Sequence, residues 1–232
     1  MREIKVFYDE FEKRDIDEKG RRRLVLRMRK STSLLKPNGM TLDVGCRNGP
    51  LREYLASPAS YVGLDITRKW WDGTFDLVVA DATKLPFKAG SFDNVAALEL
   101  VEHLFDPRTF IEEAYRVLKS DGFLVISTPN IACLLNRFKL MFGRMPSYFG
   151  IDSGHLHCFT YSSLFGLLFP LFRVTKRAYT YALFPLRRLT NVLPLSFLEM
   201  IAGLFPNLSD HILVRAERCR MQIGPSFEQR DF

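Results

Sequence analysis

At 232 residues the chain is long enough for one sizeable core and short for two independent domains. Hydrophobic residues at 47% and charged residues at 25% exclude a disordered chain, and 33 basic against 26 acidic residues give +7 and a pI near 9.3, which favours an anionic substrate or surface. Cys46, Cys133, Cys158 and Cys219 form no CxxC pair and the start "MREIKVFYDEFEKRD" is charged throughout, which argues against a zinc knuckle, a disulfide framework and a secretory signal. A reducing cytoplasm is the expected compartment.

Residues 9 to 35 read as helical, with the basic stretch "KGRRRLVLRMRK" at 19–30. From residue 41 strand-like runs ("TLDVG", "YVGLD", "FDLVVA", "FDNVAAL", "GFLVIST") alternate with helical ones ("PLREYLAS", "DPRTFIEEAYRVLKSDG"). In the second helix Phe110, Ile111, Ala114, Val117 and Leu118 share a face, Asp106 is a good N-cap, Pro107 a good first residue, and Gly122 follows the end. Short buried strands alternating with helices predict a doubly wound, mostly parallel sheet with helices on both faces. Beyond Asn130 the chain turns apolar and aromatic, and "LFRVTKRAY" (171–179) and "DHILVRAER" (210–218) read as two further strands. The longest apolar run, "LFGLLFPLF", is about half a bilayer span and is broken by glycine and proline. The organisation expected is a single domain: an N-terminal helical cover (1–39), a cofactor-binding core (40–130), an acceptor-side cover with one strand (131–208) and a last strand (209–218).

In an open α/β sheet ligands bind at the carboxyl ends of the strands. "LDVGCRNG" supplies a glycine turn after the first strand, where a backbone can approach a cofactor and a following helix can offer free N–H groups. Asp65 ends the second strand, placed for ribose hydroxyls, and Asp81 ends the third. The glycine turn with Asp65 fits a dinucleotide enzyme and an adenosyl-cofactor enzyme equally. No G-x-G-x-x-G is present, an acid precedes the glycines, and the ordered set "LDVGCRNG", "YVGLDI", "DATKLPF", "FDNVAALELVEHL", "RVLKSDGFLVISTPN" resembles the class I S-adenosylmethionine (SAM)-dependent methyltransferases, in their type 11/23-like, small-molecule or envelope-glycan branch. The resemblance is dense over residues 40–130 and looser through "GHLHCFTYSSL" to "DHILVRAER".

The resemblance implies a Rossmann-like sheet of seven strands, the last antiparallel, with SAM as cofactor and S-adenosylhomocysteine as product. It implies that Gly45, Cys46 and Gly49 lie along the methionine moiety and that Asp43 anchors its amino group. Asp65 would hold the ribose and Ile66 the adenine face, with Asp81 and Ala82 at the adenine edge and Leu98 and Glu99 lining the site after the fourth strand. Tyr8 would close over the cofactor, and Tyr161 and Asn130 would face the acceptor. Two departures stand out. Arg47 replaces the usual family glycine, at a cost of about 1 kcal/mol if the position needs positive φ. The segment "ITRKWWDGTF" is too short for the usual helix, and Trp70 and Trp71 there either pack on the sheet edge or cover the adenine.

Methyl transfer to a hydroxyl needs alignment, exclusion of water and a base. In "ELVEHL" a helical turn would bring Glu99, Glu102 and His103 together, and "GHLHCF" adds His155 and His157. His103, His155 and His157 are the candidate catalytic groups. Glu99, Glu102, His103 and His157 form a candidate divalent-metal set, and the E-x-x-E-H plus H-x-H-x-F pattern resembles small-RNA 2′-O-methyltransferases and, in its first half, quinone-precursor O-methyltransferases. The same residue types also serve as capping and core groups in generic members. The basic residues Arg137, Lys139, Arg144, Arg187 and Arg188 in the apolar cover suit a small or lipid/glycan-linked acceptor, met by a peripheral protein at the inner membrane surface. They also suit a lid or a dimer face, and the sequence leaves the oligomeric state open. No aromatic platform interleaves with the basic stretch, which ranks RNA lower. The expected activity is methyl transfer to oxygen. The rivals are a metal-dependent RNA 2′-O-methyltransferase and a non-catalytic SAM-fold binding module.

Overall fold

Along each central strand, neighbouring residues turn to opposite cores. The computed structural model describes residues 18–147, 154–180 and 195–219. Val95 and Ala97, Leu124 and Ile126, and Ile212 and Val214 join one apolar cluster with Phe110, Ile111 and Leu164, whereas Ala96, Val125 and Leu213 join a second with Met28, Leu35 and Leu51. This period-two alternation in strands buried on both faces is why their sequences read as continuous apolar runs.

The strands are β1 (Thr41–Val44), β2 (Tyr61–Asp65), β3 (Asp76–Val79), β4 (Phe92–Leu98), β5 (Leu118–Pro129), β6 (Phe172–Tyr179) and β7 (His211–Arg218). They form one seven-stranded sheet in the order β3-β2-β1-β4-β5-β7-β6. β7 runs antiparallel to β5 and β6, and the remaining pairs are parallel. The sheet is thus Rossmann-like, with the last strand reversed as expected. The chain steps outward from β1 to β2 and β3 and then crosses back to β4 on the other side of β1, so the strand order reverses beside β1.

Helices α1 (Glu18–Thr32), α2 (Pro107–Val117), α3 (Leu134–Met141), α4 (Tyr161–Leu168) and α5 (Leu195–Leu204) surround the sheet. Asp106 caps α2 by accepting from Thr109 N at 3.0 Å, with Pro107 in its first turn. Thr160 and Ser163 close a capping box on α4. β5 begins at Leu118, directly after α2, four residues before the expected start at Gly122. "PLREYLAS" does not form a full helix: only Pro50–Tyr54 coil, as a 3-10 turn, and Leu55 and Ser57 are extended before Pro58. A residue before proline is pushed out of the helical region, which leaves no room for a second turn.

Gly63 in β2 shows how tightly the site-bearing edge is packed. A Cβ there would meet Phe75 Cε2 at 2.6 Å and Cys46 Sγ at 2.7 Å. Phe75 in turn stacks edge-on against Tyr61, ring centroids 5.4 Å apart. Gly63→Ala is expected to lower unfolding stability by about 1–3 kcal/mol through overpacking, read as a lower urea midpoint with an unchanged m-value.

Candidate active site

The turn after β1 is held in an unusual backbone state. Gly45, Arg47 and Gly49 all have positive φ, at 75°, 53° and 68°. Gly45 and Gly49 also make room for the protein itself: an added Cβ would meet Leu100 Cδ1 at 2.9 Å and Phe75 Cε1 at 2.7 Å. Arg47 adopts the left-handed conformation with an exposed side chain, its guanidinium 5.9 Å from the Trp70 ring centre. Its backbone N–H donates to Asp65 Oδ2 at 3.0 Å, and Thr67 N–H donates to Oδ1 at 3.1 Å. The arginine therefore occupies the glycine position and keeps the loop's conformation.

Asp65 is buried at the end of β2, and burial raises its pKa against the pull of those backbone donors. A carboxylate offers about four acceptor positions, so roughly two remain for a pair of vicinal hydroxyls. Asp43 is 4% exposed, accepts from the Tyr61 hydroxyl at 2.8 Å, and is pushed up to about 7 by burial, with that hydroxyl pulling the other way. Cys46 is buried beside it, and burial pushes its thiol up as well. Asp81 takes both its bonds, from Thr83 N and Oγ1, on Oδ1 at 2.8 Å. Ala82 is buried, and Ile66 and Leu98 are half-buried along the same row of strand ends. These residues suit an adenosyl cofactor: the acids Asp65 and Asp81 and an apolar floor lie in strand order beside the reversal point. Trp71 donates from Nε1 to Phe75 O at 2.8 Å, and Trp70 packs under Lys69 at 4.9 Å.

After β4 the chain does not form the helical turn that would gather Glu99, Glu102 and His103. Glu99 has φ 55°, and only Val101–His103 coil, as a 3-10 turn. Glu99 accordingly faces another way. Its carboxylate accepts from Ser127 Oγ at 2.8 Å and pairs with Arg27 at 3.3 Å and His211 Nε2 at 3.0 Å. His211 Nδ1 lies 3.2 Å from the buried Asp210 carboxylate. The flanking carboxylates hold the His211 imidazolium up to about 10 despite its burial, and the two cations hold Glu99 well below the usual range.

Glu102 is fully buried, and both its carboxyl oxygens lack a hydrogen-bond partner among the described residues. Burial, then the negative charge of Glu99, pushes it up to about 8. Its backbone carbonyl accepts from Leu156 N at 2.8 Å and His157 N at 3.0 Å, which docks the histidine loop onto this turn. His103 Nδ1 donates to Gly154 O at 2.9 Å, fixing Nε2 as the basic nitrogen of the neutral ring. The His103 and His155 rings meet edge-on at 4.6 Å. Ligand atoms of Glu102, His103 and His155 lie within 4.8 Å of one another, a donor set suited to a divalent ion. The grouping thus differs from the expected one: Glu99 is drawn to Arg27 and His211, and His155 stands where His157 was expected. His157 packs toward Phe159, at 6.2 Å.

Asn130 and Tyr161 are buried, Asn130 in hydrogen bonds to the chain around residues 207–210 and Tyr161 in the main core under Arg177. Tyr8, Arg187 and Arg188 lie outside the described residues. Sequence reading passed over Arg27, Ser127, Asp210 and His211. The signal for the last two was present, since "DH" opens an otherwise apolar strand and His211 is the fourth of four histidines.

Residues 42–126 match the methyltransferase domain family. The cycloartenol-C-24-methyltransferase 1 of Oryza sativa is 43% identical over 99 residues, 37% of this chain and 29% of that protein. The ubiquinone biosynthesis O-methyltransferase of Pelagibacter ubique is 32% identical over 114 residues, 45% of this chain and 47% of that one. The chain spans less than half the length of these curated relatives. In fold, a SAM-dependent methyltransferase from Archaeoglobus fulgidus superposes with a TM-score of 0.61 at 23% identity, covering 85% of this chain and 94% of that one. By its strand order, and with a methyltransferase-domain core matched over residues 42–126, the chain has the fold of the class I SAM-dependent methyltransferases.

Proposed function

We propose that the chain transfers a methyl group from SAM to an oxygen of a small or lipid- or glycan-linked acceptor, releasing S-adenosylhomocysteine. The carrying observation is the Asp65 carboxylate, buried at the end of β2 and oriented by Arg47 N and Thr67 N with acceptor positions to spare. The cofactor supplies an electrophilic methyl on a sulfonium centre. Asp65 holds the ribose, Asp81 and Ala82 hold the adenine edge, and Ile66 and Leu98 exclude water from its faces. Asp43, with Tyr61 bonded to it, supports the turn that meets the methionine end. His103 serves as the base: the Gly154 carbonyl accepts from its Nδ1–H, which supports Nε2 as the atom that takes the acceptor's hydroxyl proton. His155 packs edge-on against it and limits its rotation. The O-methyltransferase relative supports oxygen as the acceptor atom.

Isothermal titration with S-adenosylhomocysteine is expected to show micromolar binding. Asp65→Ala should weaken it at least tenfold, since hydrogen bonds to a charged group contribute about 1.5–3 kcal/mol each. Asp81→Ala, which leaves the Arg47 contact intact, should weaken it less. A folded wild type that does not bind would leave a non-catalytic module on this fold.

The Glu102, His103 and His155 grouping favours one second reading, a divalent ion that lowers the acceptor hydroxyl's pKa, as in a metal-dependent 2′-O-methyltransferase acting on RNA. Glu102 alone gives a pH signature. Its folded pKa of about 8 lies above its unfolded value near 4.5, so the folded state binds the extra proton and loses that stability as pH rises between them. In chelator, Glu102→Gln should therefore match the wild type in melting temperature near pH 5 and exceed it progressively toward pH 8. Added Mn²⁺ should raise the wild type's melting temperature and leave the variant's unchanged. An equal response of both proteins would remove the metal from the reading.

A further inference from the structure

The excess charge of this protein is confined to one stretch. Residues 122–198 hold eight basic residues and a single acid, Asp152, so this third of the chain carries the whole +7 and the remainder is balanced. Within it, residues 137–145 ("RFKLMFGRM") present a row of large apolar side chains to solvent: Phe138, Leu140, Met141, Phe142 and Met145, with exposures from 37% to 70%. Arg137, Lys139 and Arg144 interleave with them, and no acid lies nearer in sequence than Asp121 and Asp152.

This tip is built, not frayed. The fully buried Asn136 accepts from Ser147 N at 2.7 Å and donates to Asn130 O at 3.4 Å, which closes the base of the excursion on the end of β5. Lys139 Nζ donates to Ser147 Oγ at 2.8 Å, and Arg137 Nε donates to Ala132 O at 2.6 Å. Gly143, at φ 64°, turns the chain after α3, and Arg144 N donates back to Lys139 O at 2.8 Å. On α5, Phe197, Met200 and Leu204 share a second exposed apolar stripe, continued by Phe205. Both elements are tied to Asn130, whose side chain donates to Asn207 O and Ser209 O, so both stand at the carboxyl end of β5 beside the histidine loop.

We propose that this end of the molecule docks on an anionic phospholipid bilayer, with the 138–145 tip inserted among the acyl chains and Arg137, Lys139 and Arg144 on the headgroups. Large apolar groups ringed by cations and free of acids match a surface that is apolar within and negative outside. A second copy of the chain is a poorer partner, because it would set two faces of the same positive sign against each other. The docking deepens the reading of a lipid-linked acceptor and depends on it only for its purpose, since it places the mouth of the proposed site at the membrane.

The test is vesicle flotation of the full chain, with S-adenosylhomocysteine titration run on the same samples. The protein should float with vesicles of phosphatidylcholine mixed with phosphatidylglycerol, and not with phosphatidylcholine alone. Met141→Ser with Phe142→Ser should weaken the partition by roughly tenfold or more, and Arg137→Glu with Arg144→Glu should abolish it at low salt. Cofactor-product binding should be unchanged in both variants. No flotation by the wild type, or flotation untouched by the substitutions, overturns the proposal. So does a dimer in solution that the Met141 and Phe142 substitutions convert to monomer without any vesicle binding. Loss of product binding with flotation intact would count against the methyltransferase reading alone.

Discussion

The hydrogen bond from Arg47 N to Asp65 Oδ2 is the contact on which the cofactor side of this protein rests. It ties the turn after β1 to the end of β2. An L-residue in the left-handed region costs roughly 1–2 kcal/mol. A charge-assisted bond from a backbone N–H to a buried carboxylate is of comparable size, and it exists only in that conformation. The exposed guanidinium lies over Trp70, and its charge favours the Asp65 carboxylate from there. A glycine would satisfy the same geometry with less strain, but what the site uses is the N–H, which every residue except proline supplies. The same bond keeps Asp65 where its remaining lone pairs face the strand ends. Its burial alone would otherwise favour the neutral acid.

A second constraint governs the chain after β4. Arg27 and Glu99, half-buried, and His211 and Asp210, buried, form a chain of alternating charge, two cations against two anions, joining α1, the end of β4 and the start of β7. Buried ion pairs of this kind seldom add net stability over apolar packing, but losing one member strands its partner in a low dielectric. Their effect here is geometric. They hold Glu99 in a left-handed backbone state and turn its carboxylate away from the histidine loop. Glu102, three residues on, then feels the full negative charge of Glu99 while buried itself, and it stays protonated near neutral pH. Two carboxylates close in sequence thus take opposite protonation states because Glu99 pairs directly with two cations, whereas burial outweighs the weaker pull of His211 on Glu102.

The fold was legible in the sequence because the central strands are buried on both faces and α2 carries its own cap. The runs "TLDVG", "YVGLD" and "FDNVAAL" admit little else, and "DPRTF" carries its own start signal in Asp106 and Pro107. The placing of Asp43, Asp65 and Asp81 in or just after β1, β2 and β3 was legible for a related reason, since each acid stands in or closes a short apolar run. The grouping around Glu99 was not. Helical spacing over "ELVEHL" predicts convergence, but a positive φ at Glu99 breaks the period, and nothing local announces it. The partners that cause the turn, Arg27 and His211, lie 72 residues before and 112 after it, beyond the reach of any window. "PLREYLAS" failed for a smaller reason, the extended backbone imposed ahead of Pro58.

The reversed last strand explains why the segment after β5 and the segment before β7 meet at one edge. β6 runs parallel to β5, so Tyr179 and Thr180 reach the carboxyl end of the sheet, where Thr180 N donates to Ser209 Oγ at 3.4 Å. β7 is antiparallel and starts at that same end, with His211 opposite Pro129. The chain leaving β5 and the chain entering β7 therefore stand together, and Asn130 bonds both. A parallel seventh strand would have begun at the far end of the sheet, carrying Asp210 and His211 away from Glu99. Reversal of one strand thus brings the charge chain to the end of the sheet where the histidine loop and the apolar tip, which follow β5, already stand.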